Sequence, residues 1–476
     1  MSTARRRLLA VAGGVFLAAL LLVLAEAAVR VAGIEPPPWP SADRLAGFEG
    51  VAVDPLLGPL PRPGYAGEWF GGFNVEIDEH GFRGTGLPPP DGAARRVAVL
   101  GDSCSFGWGI DTPETFVARL DARQRAGGAP VLELLNAAYP GQSAVVGEHM
   151  LREKVLPLHP DVVVLGFGAN NAFRFSLVED AERFQHVGLR RWLLRSRLLH
   201  ILLARLAERA VTGVHPRERQ AVLATPFSAL RRVASPGRFA ESTRRMVADA
   251  RAAGAVVVFL VLPRAGEVST SFRTDEDAAL GPPLPAHTTG ERLSPRELTL
   301  FEATCLDHRT LADPPAALRD GMARWQPVYP NDPALRAALR DGAQAFVRGD
   351  LGEATRLFAA AVAQHPDSPL ALYDLGVARL SAGDAGGLES MQAADQLACN
   401  VFLHYQVILW EIAAAEHVPV ADITLWFQAH DGEPLFLDPA HPTPAGHAII
   451  AEALWPLVSA AQVPAAHSAL PGPACG

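Results

Sequence analysis

Residues 97–103 read Val97-Ala98-Val99-Leu100-Gly101-Asp102-Ser103, an apolar run that stops at a glycine and delivers a serine. Four consecutive apolar residues fit a strand covered on both faces, and the glycine lets the chain turn sharply at its end. Two further runs have the same form: Asp161 to Phe167 (DVVVLGF) stops at Gly168, and Ala255 to Leu262 (AVVVFLVL) stops at Pro263. Val145 to Leu156, before the second run, and Arg238 to Ala253, before the third, carry helical spacing. Strands alternating with helices predict an α/β fold whose parallel sheet is covered on both faces. Sites in such sheets form beyond the carboxyl ends of the strands, so the residues after each run are the ones to inspect.

Ser103 sits there, followed by Gly107 and Gly109, a flexible turn able to present its hydroxyl above the sheet. A serine hydroxyl is a weak nucleophile at neutral pH and needs a base, which in turn needs an orienting acid. Asp438-Pro439-Ala440-His441 supplies both: three residues apart on a turn, the Asp438 carboxylate reaches the His441 imidazole and leaves its other nitrogen for Ser103. Thr443 and Pro444 then read as N-cap and first residue of a closing helix through Ala460. Acyl transfer also needs donors for a developing oxyanion. The candidates are the Ser103 N–H, the N–H of Gly141 in Asn136-Ala137-Ala138-Tyr139-Pro140-Gly141, and the amide of Asn170 in Gly168-Ala169-Asn170-Asn171. Asp102 reads as a cap of the turn, Cys104 as a small packing residue, His447 as a helix-face residue near the site, and Asp422 as a structural residue at a strand end.

Taken in order, the blocks GDS, NAAYPG, GANN and DPAH resemble those of the SGNH, or GDSL-type, hydrolases, over residues 97 to 178 and again from 418. The resemblance implies a flavodoxin-like parallel-sheet sandwich, Ser103 as nucleophile, Asp438 and His441 as its triad partners, and Gly141 and Asn170 in the oxyanion hole. Asn171 stands where the family carries aspartate, so the hydrogen bond such an aspartate supplies is the expected point of departure. Relatives with an anchored layout include esterases and O-acyltransferases acting on carbohydrate. The implied activity is therefore hydrolysis or transfer of a short acyl ester on a glycan. A lysophospholipase is the alternative within the enzymes, and an inactive anchored scaffold the alternative outside them.

The amino terminus sets the compartment. After Arg5-Arg6-Arg7 comes an 18-residue run without a charge, Leu8 to Ala25, then Glu26, Arg30 and the Pro36-Pro37-Pro38 cluster. That length favours an uncleaved membrane anchor over a signal peptide, although Ala25-Glu26-Ala27 has the form of a cleavage site. Three arginines ahead of it predict that everything beyond about residue 35 lies outside the cytoplasm, periplasmic or extracellular. The charge balance, 42 basic against 51 acidic residues, excludes a global basic field for nucleic acid. With 49% apolar and 20% charged residues, the 476-residue chain is globular rather than disordered. Four scattered cysteines imply neither a disulfide scaffold nor a zinc site, though Cys305 and Cys399 could pair outside the cytoplasm. No motif for a metal or a nucleotide cofactor is present, and none is expected.

Six further divisions follow from composition. Residues 1–35 are the anchor or signal segment, and 36–94 a Pro/Gly-rich covering arm with a Gly81-Phe82-Arg83-Gly84 turn. The hydrolase domain runs over 95–265 and resumes over 399–465, with a connecting insertion at 266–332 and a tail at 466–476. In 333–398, Gly342, Gly349, Asp350, Ala359 and Ala360 recur 34 residues later as Gly376, Gly383, Asp384, Ala393 and Ala394. That is the tetratricopeptide period, and two such repeats are either a docking surface for a protein partner or a packing decoration of the host domain. Leu189 to Arg209 is basic and amphipathic, and fits either a helix packed on the sheet or site, or one lying on a membrane surface.

Overall fold

The computed structural model describes residues 3–37, 39, 48–69, 72–84, 95–126, 132–172, 174–176, 179–208, 231–264, 332–397, 401–438 and 440–459. It divides into two compact units, Met1–Leu60 with Glu182–Ala224, and Pro61–Ala181 with Thr225–Gly476. Cys305, Cys399 and Cys475, the 266–331 part of the connecting insertion and the tail lie outside the described residues.

The larger unit is built on a parallel sheet of five strands: β1 (Arg95–Gly101), β2 (Leu132–Asn136), β3 (Val162–Gly166), β4 (Val256–Val261) and β5 (Val420–Asp422). Their spatial order is β5-β4-β3-β1-β2, the doubly wound flavodoxin arrangement, whose switch point falls between β1 and β3. The three apolar runs are β1, β3 and β4, and Val97 to Leu100 and Val162 to Val164 are shielded from solvent on both faces. β2 escapes the pattern because Glu133 interrupts its apolar residues; that carboxylate is buried and paired with Arg96 of β1 at 2.7 Å. The helix expected over Val145 to Leu156 keeps regular α form only over Ala144–Met150, then widens into a π-turn over Leu151–Val155 and closes as a 3-10 turn containing Pro157. Helix Pro236–Ala252 packs against Ala144–Met150, and helix Pro444–Ser459 closes the unit with Thr443 as its cap, the Thr443 Oγ1 accepting from Gly446 N at 3.2 Å.

The Pro/Gly-rich segment before β1 is more regular than its composition suggests. Ala66–Trp69 and Phe73–Glu76 form an antiparallel ribbon, and Arg83 of the following turn bridges Asn136 at the end of β2. Backbone pairing of this kind depends on distant partners and leaves no period in the local sequence.

Between β4 and β5 stand two helical hairpins, Pro333–Val347 with Leu351–Gln364 and Pro369–Ser381 with Gly387–Leu397. The 34-residue correspondence has a packing cause. A Cβ on Gly342 would lie 2.6 Å from the Phe358 ring, and one on Gly376 2.5 Å from Met391, so each glycine lets the two helices of its hairpin close together. Gly349 and Gly383 take positive φ (82° and 84°) where the first helices end. Tyr373 of the second hairpin donates to Asp422 Oδ2 at 2.7 Å, Trp410 donates to the same oxygen at 2.8 Å, and Thr424 N caps on Oδ1 at 2.9 Å. Asp422 is thus a structural anchor at the end of β5, fully buried, with burial raising its pKa against the pull of these donors.

The smaller unit holds the amino-terminal helix Thr3–Val31 and the basic amphipathic stretch. The latter is not one helix but two, Val187–Leu194 and residues 197–208, broken at Arg195-Ser196.

Candidate active site

The turn that carries Ser103 is held by local bonding. Asp102, extended in backbone, accepts from Cys104 N at 3.0 Å and so caps the four-residue helix Ser103–Phe106. Gly107 ends that helix at φ 88°, returning its N–H to Ser103 O; a Cβ there would meet Thr115 at 2.7 Å. Ser103 therefore stands at the first position of a helix, its N–H pointing outward where the helix has no internal acceptor for it.

The distant block arrives at this turn. His441 Nε2 lies 2.8 Å from Ser103 Oγ, and His441 Nδ1 lies 2.5 Å from Asp438 Oδ2. A carboxylate partner requires Nδ1 to carry the proton, which leaves Nε2 as the acceptor for the serine hydroxyl. Asp438 Oδ1 accepts from Ala440 N at 2.8 Å and His441 N at 2.9 Å, closing the turn on itself. Burial raises the Asp438 pKa, but the His441 hydrogen bond, its charge and the two backbone N–H groups outweigh it and hold the carboxyl below its ordinary range. Cys104 ties the two segments: its thiol donates to Ala440 O at 3.2 Å. Burial pushes that thiol well above its ordinary pKa, with the Asp102 charge adding to it, so it stays protonated beside the serine.

Asn170 reaches the turn that contains Gly141. Asn170 Nδ2 lies 3.4 Å from Gln142 O, next to Gly141, whose positive φ of 81° shapes that turn. Asn171 lies behind them, fully buried. Its Oδ1 accepts from Ala144 N at 2.9 Å and its Nδ2 donates to Gly168 O at 3.0 Å. The asparagine thus makes the backbone bond an aspartate oxygen would make, and adds one that a carboxylate could not donate.

Sequence reading missed two contributors. The first is Arg83, buried, donating to Phe106 O at 2.9 Å, Gly107 O at 2.6 Å and Ile110 O at 2.5 Å, with its guanidinium 4.7 Å from the Phe106 ring centroid. It pins the loop that carries Trp108, whose ring lies 6.2 Å from His441 and is met edge-on by Phe73 at 5.5 Å. The signal available was one arginine in a Gly-x-x-Gly turn, which says nothing of its burial. The second is Asn136, whose Nδ2 lies 3.3 Å from Ser105 O and whose Oδ1 accepts from Ala138 N at 3.2 Å, joining β2 to the nucleophile helix. His447 is fully buried, stacked on Phe116 at 5.7 Å and accepting from Phe116 N at 3.1 Å through Nδ1. Burial first, then the charges of Arg83, Arg119 and His441, push its pKa down to about 3, so it is a neutral packing residue.

A small cavity lies by the ends of β3 and β4, lined by Phe167, Leu260 and Leu409 together with Asp102, Arg264 and Gln406.

Residues 99–293 match the model of the GDSL-like Lipase/Acylhydrolase family. Among solved structures that match, TesA is 13% identical over 76% of this chain and 97% of its own, with a TM-score of 0.29. LAE5, an alpha/beta hydrolase enzyme from the metagenome of Lake Arreo, Spain, is 13% identical over 77% and 95%, with a TM-score of 0.33. The acetyl xylan esterase AlAXEase is 11% identical over 76% and 98%, with a TM-score of 0.32. Comparison with curated proteins finds no match.

Proposed function

We propose that the chain is a membrane-anchored serine esterase whose reaction is carried by Ser103, His441 and Asp438. The observation that carries the reading is the unbroken relay Ser103 Oγ to His441 Nε2 (2.8 Å) and His441 Nδ1 to Asp438 Oδ2 (2.5 Å). In this mechanism Ser103 Oγ attacks the ester carbonyl carbon as its proton passes to His441 Nε2, and the Asp438 carboxylate offsets the charge of the imidazolium. The oxyanion takes hydrogen bonds from the N–H groups of Ser103 and Gly141 and from Asn170 Nδ2. Collapse expels the alcohol, protonated by His441. Water, deprotonated by the same imidazole, then attacks the acyl-serine carbonyl and frees the acid and Ser103.

A short acyl ester on a glycan is the substrate class we infer from the resemblance of the sequence blocks; transfer to a second hydroxyl in place of water is the same chemistry with another acceptor. For location, the support is the helix over Ala12–Val31, with a mean hydropathy of 2.3 in its most apolar window and none of that window buried. With Arg5-Arg6-Arg7 ahead of it, that helix would leave the catalytic part outside the cytoplasm. The two hairpins over 333–397 are taken as a tetratricopeptide-like packing decoration, since the second is tied to Asp422 of the sheet and the first packs on the helix that follows it.

The test is hydrolysis of a short-chain chromogenic ester by the full chain in detergent, beside Ser103→Ala. Turnover by the wild type that falls by about 10⁴-fold or more in the variant supports the triad. Equal inactivity of two folded proteins over a broad panel of esters refutes it and leaves the anchored scaffold.

A further inference from the structure

The amphipathic stretch that the reaction leaves unused is fastened to the amino-terminal helix by one carboxylate. Glu26 accepts from Ser196 Oγ at 2.7 Å, Arg197 N at 3.1 Å and Leu198 N at 2.9 Å, so it caps the helix over 197–208 from outside that helix. Arg30, one turn further on, holds Glu26 at 2.6 Å and donates to Arg195 O at 2.9 Å, while Arg197 pairs with Glu35 at 3.0 Å. The break between the two helices is thus docked at Glu26.

The depth of that residue is set by the sequence before it. Glu26 directly follows the uncharged run Leu8 to Ala25, 18 residues long. At 1.5 Å per residue such a run spans about 27 Å, close to the hydrocarbon thickness of a bilayer, so Glu26 falls at the boundary between acyl chains and headgroups. The helix over 197–208 begins at that level, and Val187–Leu194 ends there. They leave large apolar side chains uncovered at helical spacing: Leu189 (58% exposed) and Trp192 (63%) on the first, Leu202 (47%) and Leu206 (60%) on the second. Over 187–208 five arginines stand against one glutamate. Exposed leucines and a tryptophan on helices rich in arginine, pinned at the end of an apolar span, are what a helix lying in the plane of a bilayer requires.

We propose that residues 187–208 form a surface-lying helical pair that inserts Leu189, Trp192, Leu202 and Leu206 among the acyl chains and sets its arginines at the level of anionic phospholipid headgroups. The occupant of the exposed apolar face is lipid, and Glu26 is the link that holds the pair at its depth. The proposal rests on the anchor reading, and the experiment separates the two.

The full chain is reconstituted in vesicles of brominated phosphatidylcholine and phosphatidylglycerol, and tryptophan emission is compared for wild type, Trp192→Phe and Leu206→Trp. Flotation with the vesicles after carbonate extraction reports the anchor by itself. The expected result is a loss of bromolipid-quenched emission in Trp192→Phe and a gain in Leu206→Trp, with the added tryptophan protected from aqueous acrylamide. In a floating protein, a Leu206→Trp emission quenched by acrylamide and untouched by bromine overturns the proposal while leaving the anchor. Protection from both quenchers overturns it in favour of a second protein copy on that face. Failure to float overturns the anchor reading and this inference together.

Discussion

Burial holds the His447 imidazole neutral down to about pH 3, whereas an unfolded histidine titrates near 6.5. The unfolded chain therefore binds a proton across that window that the folded chain refuses, and stability at this position is fully present above about pH 6.5 and falls by about 1.4 kcal/mol per pH unit below it. His447→Gln, which keeps an acceptor for Phe116 N, is expected to remove that slope. Denaturant midpoints at pH 7 and 4.5 should then draw closer by the equivalent of about 2.5 kcal/mol relative to wild type. Asn171 offers an opposite kind of test. An aspartate at this position leaves Gly168 O without its donor and sets a buried carboxylate against it. Asn171→Asp should cost about 1–3 kcal/mol, read as a lowered denaturant midpoint.

At the scale of elements, the four-residue helix Ser103–Phe106 is too short to hold itself, and its shape is imposed from outside. Asp102 caps its start, Asn136 reaches its last carbonyls, and Arg83 gathers Phe106 O, Gly107 O and Ile110 O. Removing the guanidinium leaves three carbonyls without that donor in a site closed to water. Arg83→Met is expected to destabilise the unit by roughly 3 kcal/mol. It should lower kcat more than it raises KM, because it loosens the loop next to His441 rather than the binding of the acyl group. Steady-state kinetics on a chromogenic ester, with thermal unfolding alongside, measure both. The block sequences made Ser103, His441 and Asp438 legible as candidates that the structure brings within hydrogen-bond distance of one another, since each proposed role demands its own residue type. Arg83 was not legible, because its role consists of carbonyls contributed by positions that any residue could occupy.

For the larger unit as a whole, Asp422 is one tie between the second helical hairpin and the sheet, joining Tyr373 and Trp410 at the end of β5. Asp422→Ala strands three buried donors, and the expected result is a loss of about 3 kcal/mol together with early opening of the hairpins. Hydrogen exchange resolved by segment would show residues 333–397 losing protection before β1 and β3. A uniform loss across the unit would mean that the hairpins and sheet still unfold as one.

The sequence alone determined the α/β class, the three central strands and the 34-residue recurrence, because a strand buried on both faces must be a continuous apolar run and a close helix crossing must have glycine. It also marked Ser103, Asp438, His441, Gly141 and Asn170 as candidates by residue type and position after strands. Tertiary structure alone decided that Asn171 is satisfied as an asparagine, that Glu133 belongs in a central sheet, that Arg83 braces the Ser103 turn, and that the basic stretch is two helices, the second capped by Glu26. Each of these depends on a partner tens to hundreds of residues away. Hydrogen-bond satisfaction between distant groups leaves no local period to read, whereas the burial of apolar surface does.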